Sequence, residues 1–234
     1  MKVLIIVPAY NEENNIEAVI ADLQKHFPTG DILVVNDCST DCTPIILQKL
    51  GVRHLDLSAN LGIGGAVQAG YKYALKHGYD IAVQFDGDGQ HSAEYLLALI
   101  KPLEEGKANV AIGSRFVEKQ GFQSSAARRT GIGFLSTVIR LLSGVIVKDV
   151  TSGMRAVDRK MIECYADEYA QDYPEPEAIL QAGIQGAKIV EVPVQMRERA
   201  SGKSSITAFK SVYYMVKVSL SMLISRMSME RKRR

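Results

Sequence analysis

Ile81-Ala82-Val83-Gln84-Phe85-Asp86-Gly87-Asp88-Gly89-Gln90-His91 is the stretch on which the reading of this chain turns. A short apolar run of strand character stops in two carboxylates separated by a single glycine, with a second glycine at 89. Residues two apart on an extended backbone point the same way, so Asp86 and Asp88 can aim at one target. That target lies just beyond a strand's C-terminal end, where open α/β sheets bind ligands. Two such carboxylates repel unless a cation sits between them, and a hard divalent ion keeps phosphate oxygens among its ligands. A metal–diphosphate site is the first expectation. The plain alternative is a solvated acidic turn, Asp-Gly being common turn chemistry.

The segments on either side decide between these. Val3 to Val7 is a continuous apolar run, the mark of a strand buried on both faces of a parallel sheet, and it stops at Pro8-Ala9-Tyr10-Asn11-Glu12-Glu13. Ile16, Val19, Ile20 and Leu23 follow at helical spacing. A second strand, Asp31 to Val35, ends in Asn36-Asp37-Cys38-Ser39-Thr40-Asp41. Thr43 as N-cap and Pro44 at the first helical position open the next helix, which closes near Gly51. A short strand around His54 to Leu57 precedes Asn60-Leu61-Gly62-Ile63-Gly64-Gly65-Ala66, which leads into a helix reaching Lys76. Strands alternating with helices predict an α/β chain with a doubly wound, mostly parallel sheet. Three strand ends then bring carboxylates to one edge of that sheet, which favours a nucleotide site over solvated loops.

The second half predicts a helix over Ala93–Glu105, a strand over Asn109–Ile112, a helix from about Gly131 to Leu142 and a turn at Lys148–Arg155 running into a short strand. Helices near Lys160–Tyr169 and from Pro174 to Gly186 precede a strand over Ile189–Met196. Val117 to Thr130 is polar and lacks periodicity, which reads as a mobile loop over the site. Arg197 to Ser205 is a basic loop of small residues. With no internal repeat or low-complexity linker, residues 1–205 form one catalytic domain and residues 206–234 an amphipathic basic C-terminal helix.

The 234 residues suffice for a real core, and a net charge of +2 gives no argument for nucleic acid. Three cysteines, Cys38, Cys42 and Cys164, suit a reducing compartment, and Cys38 and Cys42 read as buried free thiols rather than zinc ligands. Only Val3 to Val7 separates Lys2 from Pro8, too short a run for a signal peptide, so cytoplasmic residence is expected.

With these segments in place, the chain resembles family 2 glycosyltransferases of the GT-A fold from Val3 to about Ser205. Pro8-Ala9-Tyr10-Asn11-Glu12 is similar to that family's first nucleotide-binding loop, and Asp37-Cys38-Ser39-Thr40-Asp41 to its D-x-S-x-D element. Asn60 with Gly62 and Gly64 resembles the N-x-G-x-x-x-A motif, and Asp86-Gly87-Asp88 the D-x-D position. Gln90-His91, Gly113-Ser114-Arg115, Asp149 to Gly153, Glu191 to Val194 and Arg199 to Ser204 resemble the polyprenyl- and dolichyl-phosphate sugar synthase branch. The missing Trp between Gln120 and Ala127, and Met154 in place of a common aromatic, depart from the mannose synthases.

The resemblance implies an inverting, metal-dependent transferase that moves a sugar from a UDP- or GDP-sugar to a polyprenyl phosphate. Asp86, Asp88 and Gln90 would hold Mg²⁺ or Mn²⁺. Pro8, Tyr10, Glu12, Asp37, Gly64 and Asp86 would bind the nucleotide. Arg115, Arg128, Arg129, Arg199 and Lys203 would meet the acceptor phosphate. Asp86, Asp88, Asp149 and Arg199 are the expected catalytic set.

The chemistry of the acceptor bears on this. A sugar hydroxyl needs a positioned base, for which Asp149, Glu175 and Glu177 are candidates. A phosphate monoester is already mostly dianionic at neutral pH and needs cations to position it instead. The arginine-rich loops favour the phosphate. Transfer to a saccharide hydroxyl in cell-surface polysaccharide assembly stays open, and a non-catalytic nucleotide-sugar-binding protein stands further off.

The tail completes the picture. Ile206, Phe209, Tyr213, Val216, Leu220, Leu223 and Met227 form an apolar helical seam, widened by Val212, Met215, Val218 and Met222 and followed by Arg231-Lys232-Arg233-Arg234. A helix lying in the inner face of the cell membrane fits this pattern. Packing against the domain, a homo-oligomer seam and a small membrane subunit are the alternatives.

Overall fold

The computed structural model describes residues 1–118, 126–197 and 208–233. Strand β1 (Val3–Ala9) is its spine, buried along its whole length. It pairs in parallel with β2 (Asp31–Asn36) on one side and β4 (Ile81–Gln84) on the other, and β3 (His54–Asp56) extends the sheet beyond β2. On the opposite flank β6 (Arg155–Asp158) runs antiparallel between β4 and β5 (Val110–Ser114), and β7 (Ile189–Pro193) lies parallel to β5. The order among the described residues is β3-β2-β1-β4-β6-β5-β7. The sheet is mostly parallel, as the alternation of elements required. The reversal of β6 was not legible, because a short strand carries no mark of its own direction.

Alternation along β1 builds two cores. Val3, Ile5 and Val7 face α1 (Ile16–His26), α2 (Thr43–Leu50) and α4 (Leu96–Glu104), with Leu23, Leu47 and Leu99 fully buried there. Leu4 and Ile6 face the other side, toward α3 (Gly62–Lys76), α5 (Ala126–Ser143), α6 (Arg159–Asp167) and α7 (Pro174–Ile184).

Several local expectations change. Thr43 does not cap α2; its hydroxyl accepts from Glu12 N at 2.9 Å, while Asp41 Oδ1 accepts from Thr43 N at 2.9 Å. Helix α5 starts at Ala126 rather than near Gly131, since Ala126-Ala127-Arg128-Arg129 are strong helix formers whatever their polarity. Residues 119–125 of the loop expected over the site lie outside the described residues. The three cysteines are free thiols, but neither of the two expected to be buried is so: Cys38 is half-buried and Cys42 exposed, both being carried on the loop before α2.

Helix α8 (Ala208–Arg233) packs on α5 and α7 and buries Val218 and Met222. Those two belong to the flank of the expected seam, and the seam residues Val216, Leu220, Leu223 and Met227 remain exposed. Among the described residues no helix is long and apolar enough to cross a membrane.

The seat of α3 on β1 depends on Gly70, where an added Cβ would stand 2.3 Å from Ile6 Cγ2. Gly70→Ala is therefore expected to lower stability by about 1–3 kcal/mol through overpacking. Adding Ile6→Ala should cost less than the two single changes summed. Strict additivity in denaturant unfolding of the double variant would disprove the contact.

Candidate active site

The C-terminal ends of β1, β2 and β4 open into one cleft of about 530 Å³, lined by Pro8, Ala9, Tyr10, Glu12, Asp37, Asn60, Gly62, Ile63, Ala66, Asp86, Gly87, Asp88 and Glu175. That volume suits a nucleotide-sized ligand. The loops after β1 and β2 lock together. Asn11 N donates to Ser39 Oγ at 3.0 Å, and Thr40 N donates to Asn11 Oδ1 at 2.8 Å. Asn11 (φ 56°) and Cys38 (φ 60°) both occupy the left-handed region that side chains other than glycine seldom adopt. Strain of this kind persists where the surroundings over-determine it, and such places cluster at ligand sites. Asp37 Oδ1 accepts from Leu61 N at 2.7 Å, and Asn60 Nδ2 donates to the Asp37 carbonyl at 3.2 Å. The loop before α3 is thereby tied to the end of β2.

Gly64 does not join this lining. An added Cβ there would stand 2.0 Å from the Ala170 carbonyl oxygen, and its N–H donates to the Gln171 carbonyl at 3.1 Å. It packs closely against backbone there, and Gly62, Ile63 and Ala66 form that part of the wall.

Beyond Gln84 the chain leaves the ladder and turns, with Gly89 at φ 76°. Asp86 and Asp88 reach the cleft from this turn, not from an extended strand. Gln84 Nε2 donates to Asp86 Oδ1 at 3.3 Å, and His91 Nε2 lies 3.2 Å from Asp86 Oδ2. Burial alone would push the Asp86 carboxyl up; the bond and charge of His91, the Gln84 amide and the nearby Arg155 outweigh it and hold the group below its ordinary value. The Asp88 carboxylate accepts from Gln90 N at 3.1 Å, which shapes the turn.

A carboxylate held ionised, a second one on the same turn and the amide oxygen of Gln90 are hard oxygen donors of the kind Mg²⁺ and Mn²⁺ take. His91 would then be the outer partner that orients a ligating carboxylate. The residues fit such an ion. Among the described residues no cluster of three or more His, Cys, Asp or Glu is gathered to hold one.

Two groups at this site were missed from sequence. His91 is 4% exposed, and its Nδ1 has no hydrogen-bond partner. Arg155 is 1% exposed and donates to the carbonyls of Ser152 at 2.7 Å and Glu175 at 3.1 Å. The position of His91 after D-G-D-G-Q was a usable signal; for Arg155 there was none, since only the reversed β6 brings it here. Glu175, one of three carboxylates weighed as a base, is the one on the cleft, and burial pushes its carboxyl up against the opposing pull of Arg155. Glu177 points elsewhere, toward Ser225 of α8.

Asp149 and Arg115 are brought to each other. Arg115 Nε and Nη2 donate to the two Asp149 oxygens at 2.7 and 2.6 Å, with Asp149 wholly buried and Arg115 4% exposed. Thr151 Oγ1 accepts a further bond from Arg115 Nη2 at 3.0 Å. The charge of Asp149, one of the expected catalytic set, is answered by Arg115. Arg115, expected at the acceptor phosphate, is held at the end of β5 by this pair. Arg129 is exposed near the start of α5, where Arg128 also falls. Arg199 and Lys203 lie outside the described residues.

A mostly parallel sheet with this order, whose β4 ends in a carboxylate pair facing a nucleotide-sized cleft, defines a glycosyltransferase of the GT-A fold. The chain belongs to glycosyl transferase family 2, whose pattern residues 4–166 match. It is 32% identical over 217 residues to the polyprenol monophosphomannose synthase of Mycolicibacterium smegmatis, covering 88% of this chain and 81% of that one. It is 31% identical over 221 residues to the undecaprenyl-phosphate mannosyltransferase of Micrococcus luteus, covering 88% of each. Glucosyl-3-phosphoglycerate synthase from Mycobacterium tuberculosis, solved with Mn²⁺, UDP-glucose and phosphoglyceric acid, shares the fold with a TM-score of 0.73 at 20% identity, over 96% of this chain and 79% of that one.

Gly153 offers a probe of the carboxylate's placement, because an added Cβ would stand 2.0 Å from Asp86 Oδ2. Gly153→Ala is expected to reduce transfer activity roughly a hundredfold by displacing that carboxylate. Circular dichroism should stay that of the parent. Parent-like turnover with a defined donor and acceptor would show that Asp86 is not positioned this way.

Proposed function

We propose that this glycosyltransferase moves a sugar from a nucleoside-diphosphate donor, UDP- or GDP-linked, to a polyprenyl phosphate at the inner face of the cell membrane, with inversion at the anomeric carbon. The observation that carries the reading is the Asp86–Asp88 pair facing the same cleft as Pro8, Tyr10 and Asp37. The nucleoside lies against the loops after β1 and β2, and the diphosphate lies at the turn after β4. Asp86, Asp88 and Gln90 hold Mg²⁺ or Mn²⁺, which when bound offsets the negative charge that grows on the leaving diphosphate, a contribution of several kcal/mol. His91 and Gln84 keep the Asp86 oxygens aimed into the cleft. The relatives named for polyprenyl-phosphate products support the acceptor, and the Mn²⁺ and UDP-glucose of the structural neighbour support the metal and the donor class.

On this reading the attacking oxygen arrives already ionised. Cations from Arg128, Arg129, Arg199 and Lys203 position it, Arg being suited to paired contacts with phosphate. No proton has to be removed. One observation favours the second reading, transfer to a saccharide hydroxyl: Glu175 lines the cleft, and its raised carboxyl pKa suits a base.

Incubation with a panel of nucleotide sugars, polyprenyl phosphate and Mn²⁺, with products read by mass, decides between them. Glycosyl phospholipid is expected, whereas turnover only with saccharide acceptors would reverse the order. Asp88→Ala should lower transfer at least about a hundredfold if the metal contributes its usual several kcal/mol. Unchanged activity in EDTA-treated parent enzyme would remove the metal. For Arg199→Ala, the KM for polyprenyl phosphate should rise about tenfold or more while donor binding stays within about twofold, as loss of one charged contact implies. Equal losses on both substrates would count against its acceptor role.

A further inference from the structure

We propose that Tyr169 is a positioning residue for the Asp86 carboxylate, acting through the side-chain amide of Gln84. The inference rests on the metal–diphosphate reading of Asp86 and Asp88 for its purpose. Gln84 ends β4 and is wholly buried. Its register beside Ile6 turns its side chain to the face of the sheet that α3, α6 and α7 cover. There the amide makes one bond at each end. Nε2 donates to Asp86 Oδ1 at 3.3 Å, and Oε1 accepts from the Tyr169 hydroxyl at 3.4 Å. Among the described residues no other donor reaches that oxygen.

A buried amide oxygen has to be answered, and a second donor stands close by to compete for it. Arg155 is the cross-strand partner of Gln84, and its buried Nε has no hydrogen-bond partner. Its other nitrogens are spent on the carbonyls of Ser152 and Glu175. If Gln84 Oε1 turned to that Nε, the amide would swing and draw Nε2 away from Asp86. The Tyr169 hydroxyl prevents this by holding Oε1 where it is. The same cation helps to direct the hydroxyl. Its charge opposes the rise that burial gives the Tyr169 phenol, so the two groups feel each other. A phenol beside a cation turns its oxygen toward the charge and its proton toward the acceptor within reach, here Gln84 Oε1.

Packing, not the hydroxyl, fixes the Tyr169 ring. Its centroid lies 5.4 Å from that of Tyr71 and 5.2 Å from that of Tyr165, both edge-on. The Tyr165 hydroxyl is itself tied to the Ala178 carbonyl at 2.8 Å. The backbone that follows is held as well, since the Gln171 carbonyl accepts from Gly64 N at 3.1 Å. Tyr169 thus offers a fixed donor 85 residues away in sequence from the amide it steadies. A ligating carboxylate gains from such outer partners because they fix where its oxygens point. Removing the hydroxyl alone leaves the ring, and with it the fold, in place.

Mn²⁺ titration of the full chain tests this, with free ion read by electron paramagnetic resonance in the presence of saturating UDP or, separately, GDP. Tyr169→Phe should weaken Mn²⁺ binding about three- to tenfold, the worth of one hydrogen bond, with the circular dichroism of the parent. Gln84→Met, which keeps the side chain's length and removes the amide, should weaken it to a similar degree. Adding Tyr169→Phe to Gln84→Met should then change Mn²⁺ affinity less than about twofold. Parent-like affinity in Tyr169→Phe, even with a lowered thermal midpoint, would make the hydroxyl a purely structural group and overturn the inference. The full Tyr169→Phe loss recurring in the Gln84→Met background, or parent-like affinity in Gln84→Met, would overturn the route through Gln84. A parent that binds no Mn²⁺ with either nucleotide would defeat the metal reading, and the inference with it. Mn²⁺ binding as expected with transfer only to saccharides would reverse the acceptor reading and leave the role of Tyr169 standing.

Discussion

A half-buried carboxylate at the end of a parallel strand must have its charge answered, and the arrangement around β4 is built on that need. Asp86 receives the Gln84 amide and His91 Nε2 at its two oxygens, with the Arg155 guanidinium close by. The antiparallel strand β6 makes this possible. Its register sets Arg155 opposite Gln84, two residues before Asp86 along the partner strand. A parallel β6 would start with Arg155 at the far edge of the sheet and withhold that cation. The reversal in an otherwise parallel half-sheet is thus tied to the chemistry at its edge.

The neighbouring walls show the same economy of local structure. Asn11 and Cys38 hold left-handed backbone because the side chains and amides of the two loops bond one another across the ends of β1 and β2. Gly64 and Gly153 let backbone approach where any side chain would collide, one with residues 170 and 171 and the other with Asp86 itself. The cleft is therefore largely formed before ligand arrives, which lowers the ordering cost of binding. The buried Arg115–Asp149 pair extends this rigidity to the far side, joining the end of β5 to the loop before β6. Breaking such a pair leaves an uncompensated charge, so both members matter to the frame.

How much of this was legible depended on how local each signal is. The apolar run of β1, the helical spacing of Ile16 to Leu23 and the acidic turn after β4 are read within a few residues, and these located the cleft. Asp37 and Asn60 likewise declared themselves by sitting at strand ends. The roles of Arg115 and Asp149 depended on a contact between residues 34 positions apart, which no local pattern encodes. Arg155 needed the direction of β6, and Gly64 needed the path of residues 170 and 171. The tail was legible as amphipathic, but its seam was assigned to one helix alone. The side chains of Val218 and Met222 turn inward because α5 and α7 offer apolar surface there, and that choice is tertiary.

The acceptor joins the two ends of the molecule in one argument. A hydroxyl acceptor would require a base beside the anomeric carbon and would tolerate a site facing bulk water. A phosphate on a long prenyl chain requires neither, but its headgroup stays at the bilayer surface because the chain is worth ~0.8 kcal/mol per buried methylene. The enzyme must then come to the lipid, and it must do so with the mouth of its cleft at headgroup depth. Arg129 is exposed near the start of α5, and α5 packs against the C-terminal helix α8.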